Sequence, residues 1–446
     1  MQRTAIVMVC LLLTGSVTAE TTAFVNVNVI DVTSGNVSRS QTVIVEDGSI
    51  QEIGRFRETP VTDDAAVIDG TDRYLMPGLT ELHGHIPGAS DANLDRILAL
   101  FVANGITTVR GMLGQPSHLE LRRQLDAGEV LGPRLITSGP SFNGSSVRSS
   151  RQAEAMVREQ HAAGYDFLKI HPGLTRDEFT AIADTANELG IPFAGHVPED
   201  VGVQRALAAG IATIDHLDGY MQALLRPHED TSGGLGGFFG VFIADLADES
   251  RIDEVARMTA DAGTWNVPTQ SLFEHVTSPA LTTDELVDRP EMTFMPARTV
   301  EQWRQSRVSL VTDSNYDAAT AARAVDIRRA LLRALDEAGA GLLLGSDSPQ
   351  IFNVPGFALH HELALMVEAG LSPLTALQAG TINPATFFGV EGRRGVVAPG
   401  MDADLVLLDE NPLENIDNSR RIHGVMLQGR WLSRSTLTDL LERFER

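Results

Sequence analysis

Eight short apolar runs alternate with amphipathic stretches along most of the chain, and this alternation is what most limits the fold. The runs are 79–82, 107–109, 134–137, 167–170, 192–194, 213–214, 266–268 and 341–344. Between them, 93–103, 153–163, 176–189, 203–209 and 319–338 carry apolar residues at i, i+3, i+4 spacing, which buries one face of a helix. Strands separated by helices make βα units around a parallel sheet. Eight such units predict an α/β fold, a closed (β/α)8 TIM barrel over residues 77–389.

The two chain ends read differently. Residues 22–30 and 41–53 are rich in β-branched side chains, with a turn at Glu46-Asp47-Gly48. After Phe388, strand-like runs return at 395–397, 403–408 and 424–427. Residues 20–76 and 390–432 are therefore expected to form a small composite β-sandwich domain, with a C-terminal helix over 433–446. Two connections, 218–249 and 271–307, exceed ordinary loop lengths and read as functional lids or mobile loops.

Residues 1–19 read as a secretory signal peptide. Arg3 supplies its charge, residues 5–13 its apolar stretch, and Val17-Thr18-Ala19 a small-residue cleavage site before Glu20. The competing reading is a retained membrane anchor, and nothing later resembles a transmembrane helix. Export to a periplasm or beyond is the expectation. Lys plus Arg number 35 against 59 Asp plus Glu, a net charge of −24, which argues against nucleic acid or an anionic membrane surface as partner. The single cysteine, Cys10, lies inside the signal. No disulfide framework or thiolate cluster is possible, and any metal must be held by nitrogen and oxygen.

His83-Gly84-His85 directly follows the first barrel run. Residues i and i+2 of a strand share a face, so both imidazoles can reach one ion at the end of the barrel where active sites sit. Lys169, His196, His216 and Asp347 stand at the ends of the fourth, fifth, sixth and eighth runs. One polar group at the same end of several strands is hard to explain by packing, since buried polar groups need partners. Further residues are candidates for substrate contact: Tyr220 just after His216, His171 two past Lys169, and His228 and His275 in or near the long loops. Arg110, ending the second run, could bind a substrate carboxylate, hold a buried acid, or simply pack. His118, His161 and His423 read as surface residues, His360 and His361 as structural. Phe238-Phe239 reads as a loop anchor ahead of a substrate platform.

These residues resemble the amidohydrolase superfamily, in particular its secreted prolidase-like and imidazolonepropionase-like branch. The resemblance spans nearly the whole mature chain. It rests on His83-Gly84-His85, Lys169, His196, His216 and Asp347. Also matching are Pro77-Gly78, Gly190-Ile191-Pro192-Phe193-Ala194-Gly195-His196-Val197-Pro198, residues 362–385 and the tail segment 395–405. Many relatives carry an acid after the arginine at position 110, where this chain has Gly111. The resemblance implies two divalent metal ions, zinc first, with manganese, cobalt or iron also compatible. His83, His85 and Asp347 would hold one ion, His196 and His216 the second, with a carbamate on Lys169 between them. A bridging hydroxide would attack an amide carbonyl while Asp347 acts as general base and then acid. The implied reaction is hydrolysis of a C–N bond in a small molecule such as a dipeptide, an N-acyl amino acid or a cyclic amide. Relatives are often homo-oligomers. A mononuclear zinc deaminase or ring-opening hydrolase is the alternative, with His196-Val197-Pro198-Glu199 supplying an H-x-x-E. A binding protein that has lost catalysis would lack ligands, yet all six positions are filled.

Overall fold

The computed structural model describes residues 21–226 and 236–446. The expected signal peptide, with Cys10, and His228 lie outside the described residues. Among those described, no helix is long and apolar enough to cross a membrane.

The N-terminal strands are β1 (Thr22–Ile30), β2 (Val37–Glu46), β3 (Ser49–Arg55), β4 (Ala66–Asp69) and β5 (Tyr74–Pro77). Asp47 and Gly48 both have positive φ, 49° and 73°, the conformation of the tight turn that best joins two twisted strands. Next come β6 (Leu79–Gly84), β7 (Ile106–Gly111), β8 (Arg134–Thr137), β9 (Leu168–Ile170), β10 (Phe193–Gly195), β11 (Thr213–Asp215) and β12 (Trp265–Val267). The C-terminal strands are β13 (Leu405–Leu408), β14 (Ile422–Leu427) and β15 (Arg430–Ser433), followed by the helix Arg434–Glu442.

Strands from both chain ends join, but not as two facing layers. They hydrogen-bond in one eight-stranded sheet, ordered β15-β14-β13-β5-β1-β2-β3, with β4 also beside β1. The link is the antiparallel pair β5–β13, with Leu405 opposite Pro77 and Leu408 opposite Tyr74. In that order β1 and β15 are four strands apart, about 19 Å in a flat sheet. The rings of Phe24 and Trp431 nevertheless lie 5.3 Å apart. The sheet therefore curls on itself around buried Phe24, Val43, Ile50, Leu75, Leu407 and Met426. The expected strand at 395–397 does not form. The Pro399-Gly400 turn and the ion pair of Arg394 with Asp402, 2.9 Å, hold that stretch as a connection.

The parallel strands form two ladders, β6-β7-β8 and β9-β10-β11-β12. Two isolated parallel bridges, Ser138 to Phe167 and Phe142 to Ile170, join them. The run 341–344 is not a regular strand. It touches β12 through the bridge Asn266 to Leu342, and β6 through a hydrogen bond from Leu82 N to Leu344 O of 2.9 Å. Leu344 N turns away to donate to Ala379 O at 2.8 Å, which interrupts the ladder there. Helices separate the strands, among them Leu94–Ala103, Ser150–Ala163, Arg176–Leu189 and Ala318–Glu337. Arg176–Leu189 is fixed at both ends. A capping box of Thr175 and Glu178 starts it, and Gly190 in the left-handed region stops it.

The stretch 271–307 is mostly helical, not a long loop. It contains Gln270–Thr277, Thr283–Val287 and Ala297–Val311. Pro279, Pro290 and Pro296 separate these short helices, and a second capping box, Thr282 with Glu285, starts the middle one. Arg328 secures this region from within. It is buried, with its guanidinium over the Phe273 ring, and donates to His216 O at 2.6 Å, Pro268 O at 2.9 Å and Gln270 Oε1 at 2.9 Å. Glu362 accepts from the first backbone amides of Gln270–Thr277, Gln270 N at 2.8 Å and Ser271 N at 2.7 Å, as an acid suits a helix N-terminus.

The curl of the outer sheet brings its two hairpin turns together, and this contact can be tested. Gly429 has φ of 81°, and a Cβ there would lie 2.5 Å from Gly48 Cα. G429A is expected to lower the free energy of unfolding by about 2 kcal/mol. Amide exchange should quicken first in β14 and β15, read by mass spectrometry, and an unchanged exchange pattern would contradict the contact.

Candidate metal centre and its cavity

The polar residues at the strand ends converge. His83 lies within β6, and His85 follows just after it, with their rings 5.5 Å apart. His196 and His216 directly follow β10 and β11, Asp347 follows the run 341–344, and Lys169 is the middle residue of β9. The His216 ring lies 4.4 Å from that of His83 and 4.6 Å from that of His196. Asp347 Oδ1 is 2.6 Å from His85 Nε2 and 3.5 Å from His83 Nε2, and Oδ2 is 3.7 Å from His216 Nδ1. The ligand atoms of His83, His85 and Asp347 all fall within 4.8 Å of one another, a spacing compatible with three donors around one ion.

Backbone strain concentrates here. His216, Leu217, Thr269 and Asp347 all have φ between 46° and 65°, in the left-handed region that non-glycine residues seldom occupy. Each such residue costs about 1–3 kcal/mol and persists only where the surroundings enforce it.

Acids and hydroxyls orient the rings. Asp218 Oδ2 accepts from His196 Nδ1 at 3.0 Å, and Thr269 Oγ1 is 2.9 Å from His216 Nδ1. Asp215 Oδ2 lies 2.8 Å from His83 Nδ1, close in distance although not aligned as a hydrogen bond. Such partners fix which ring nitrogen stays free for a metal. Burial, reinforced by neighbouring positive charge, holds the pKa values of His83 and His216 well below the ordinary imidazole value. Both are therefore neutral near pH 7, the state that metal binding needs. Glu81, two residues before His83, accepts from His83 N at 2.9 Å, from Ser346 N at 2.8 Å and from the Ser346 hydroxyl. It ties β6 to the segment carrying Asp347, and burial pushes its carboxyl up to about 8.

Lys169 tests whether these residues suit two metals. Its Nζ is fully buried and has no hydrogen-bond partner. A buried ammonium left unpaired is costly, and burial lowers its pKa to about 8 despite Asp215 and Asp347 nearby. A side chain at Gly195 would meet Lys169 Nζ at 3.1 Å and Ile170 O at 2.5 Å, so only glycine leaves the amine its space. Lys169 is also the only lysine in the sequence, and every other residue of the 35 Lys plus Arg is arginine. An amine accepting a carboxyl group there would gain the oxygens that metals require. The donor set fits a pair of divalent ions.

The cavity above these residues measures ≈ 260 Å³ and is walled by Phe238, Phe239, Leu272, Gln350 and Ile351, with His171 beside His196. The His171 and His196 rings stack at 5.0 Å. Phe239 stacks on His216 at 4.8 Å and 17°, so this pair forms a cavity wall and not merely a loop anchor. Other expected contacts lie elsewhere. Tyr220 is buried outside the cavity, its hydroxyl donating to Asn266 Oδ1 at 2.8 Å. His275 is buried between Asn353, 2.7 Å, and Arg289, 2.8 Å. Arg110 does not reach the cavity. It is 1% exposed and donates to both carboxylate oxygens of Asp215, at 3.2 and 3.3 Å, the buried-acid alternative open to it. His118 is buried, within 3.1 Å of Pro87 O, and is not a surface residue. Glu199 is exposed and lines a separate cavity, away from the reacting position an H-x-x-E glutamate would need. Sequence reasoning missed Asp215, Asp218, Thr269 and Glu81. Asp215 and Asp218 flank His216 in Asp215-His216-Leu217-Asp218, and Glu81 shares the strand face of His83. Those spacings were the available signal.

Ochratoxinase of Aspergillus niger is 22% identical over 415 residues, covering 86% of this chain and 80% of that protein. Imidazolonepropionase of Idiomarina loihiensis is 22% identical over 389 residues, covering 82% and 85%. Among solved structures, a bottromycin amidohydrolase superposes with a TM-score of 0.72 at 24% identity, covering 95% of this chain and 90% of that one. A Xaa-Pro dipeptidase with methionine in its active site does so with a TM-score of 0.67 at 19% identity, covering 93% and 100%. At these identities the structural likeness speaks for the fold. A model of the Amidohydrolase family matches residues 74–432, well over half of the sequence, and the chain belongs to that family.

Proposed function

We propose that this chain is a two-metal hydrolase that cleaves an amide C–N bond in a small molecule. The observation that carries the reading is Lys169. It is the sole lysine of the sequence, buried and unpartnered, and near enough to His83, His216, Asp215 and Asp347 for their charges to interact. His83, His85 and Asp347 would hold one ion, His196 and His216 the other, with carbamylated Lys169 between. The neutral amine of Lys169 attacks carbon dioxide, an N–C bond forms, and the amine proton leaves to solvent. When bound, divalent ions polarise the carbonyl and bring the pKa of the attacking water towards neutrality. Asp347 takes the proton of that water and returns it to the leaving nitrogen. Asp218, Thr269 and Asp215 keep three imidazoles in the required orientation. In this reading 77–389 close as a (β/α)8 barrel, with 20–76 and 390–432 as the outer β unit. Residues 433–446 form the terminal helix, and residues 1–19 direct export.

The single lysine makes the test unusually clean. Protein equilibrated with ¹³C-bicarbonate should show a carbamate resonance that is lost in K169R, since Lys169 carries the one ε-amine and any signal from the α-amino terminus persists in the variant. Metal content should fall from about two ions per chain to one or fewer in that variant, with kcat/KM reduced by about 10³-fold or more. Full activity in K169A would sink the reading.

Asp218 supplies a milder test. D218A should remain folded yet lose about 10–100-fold in affinity for the ion on the His196 side, read by competition with a chelator. An unchanged affinity would remove Asp218 from the metal centre.

A further inference from the structure

We infer that the cavity takes an uncharged amide with an aromatic or bulky aliphatic group against the Phe238–Phe239 wall, and no free carboxylate near the bond to be cut. This deepens the hydrolase reading and rests on it. Around the histidines the cavity is walled by Phe238, Phe239, Leu272 and Ile351, and Asp347 is the carboxylate among its lining. No lysine or arginine lines it among the described residues.

Cations close by in the fold are already engaged. Arg110 pairs with Asp215, Arg328 holds the carbonyls of His216 and Pro268, and Arg289 holds His275. Arg205 and Arg251 line a different cavity of ≈ 800 Å³ behind Asp218, in company with Glu199 and Glu254. A substrate carboxylate against the Phe238, Phe239, Leu272 and Ile351 wall would be desolvated with no lysine or arginine counterion among the described lining residues, which is unfavourable. Gln350 offers the opposite preference. Its neutral amide both donates and accepts hydrogen bonds, matching another amide and not an anion. The apolar wall rewards removal of a ring or branched chain from water.

The test compares N-acetyl-L-phenylalaninamide with N-acetyl-L-phenylalanine, a near-isosteric pair in which a neutral carboxamide replaces the carboxylate, with hydrolysis followed at the acetyl amide common to both. Calorimetric titration of the full mature chain, metal-free and zinc-loaded, should show the amide binding at least about ten-fold tighter. F239A should lose about ten-fold in affinity for the amide, and Q350R should gain about ten-fold for the acid. Equal or tighter binding of the acid by the unaltered protein overturns the inference, as does binding of neither compound. Turnover is followed separately on the zinc-loaded protein. Preferential binding of the amide with no hydrolysis keeps the cavity assignment and rejects the hydrolase. Hydrolysis of the acid alone rejects the cavity assignment and keeps the hydrolase.

Discussion

Much of the site depends on one buried ion pair between the two parallel ladders. Arg110 projects from β7 and meets Asp215 at the end of β11, while its other nitrogens donate to Leu82 O at 2.6 Å and Thr213 Oγ1 at 3.2 Å. One guanidinium thus links β6, β7 and β11. Burial alone would raise the Asp215 pKa, but Arg110 foremost, and then Lys169, bring it below its ordinary value. Taking two charges out of water is costly, and the pair is tolerable only because nearly every donor and acceptor is met. Losing either partner would leave a bare charge in the interior, at about 3–5 kcal/mol. The same Asp215 faces His83 Nδ1. The interaction that spans the strands therefore also faces an imidazole of the proposed metal centre.

Local chemistry decided what could be read in advance. Arg176–Leu189 was legible to the residue because its capping box and terminal glycine are short-range signals. His83, Lys169, His196, His216 and Asp347 were legible because strand ends are marked by a change from apolar to polar residues. The helices within 271–307 were not legible, since prolines that start and separate short helices look the same as prolines in a loop. Tyr220 and His275 were misplaced for a related reason. Proximity in sequence to a ligand does not say which way a helix presents its side chains, and both find buried partners away from the cavity. Phe239 adopts φ of 50°, a conformation its sequence gives no cause to expect, and that backbone carries the ring onto His216. The single curled sheet was hidden as well, because the β5–β13 pairing joins residues more than 300 positions apart.

The basic residues divide by chemistry. Arginine supplies all the structural cations in the interior, at Arg110, Arg328 and Arg307, each forked onto a carboxylate or carbonyl oxygens. A guanidinium stays charged at any relevant pH and satisfies several acceptors at once. Those properties stabilise a buried cation and exclude amine chemistry. Lysine has the reverse character, a primary amine whose pKa falls readily on burial. The sequence uses lysine once, at a position where glycine clears the space and the amine makes no hydrogen bond. A structural role would be served at least as well by the arginine used everywhere else. The exclusive use of an amine at this one position is therefore better explained by a reaction on nitrogen than by charge, and the proposed carbamate would add beside His83 and His216 the negative charge that a pair of cations needs.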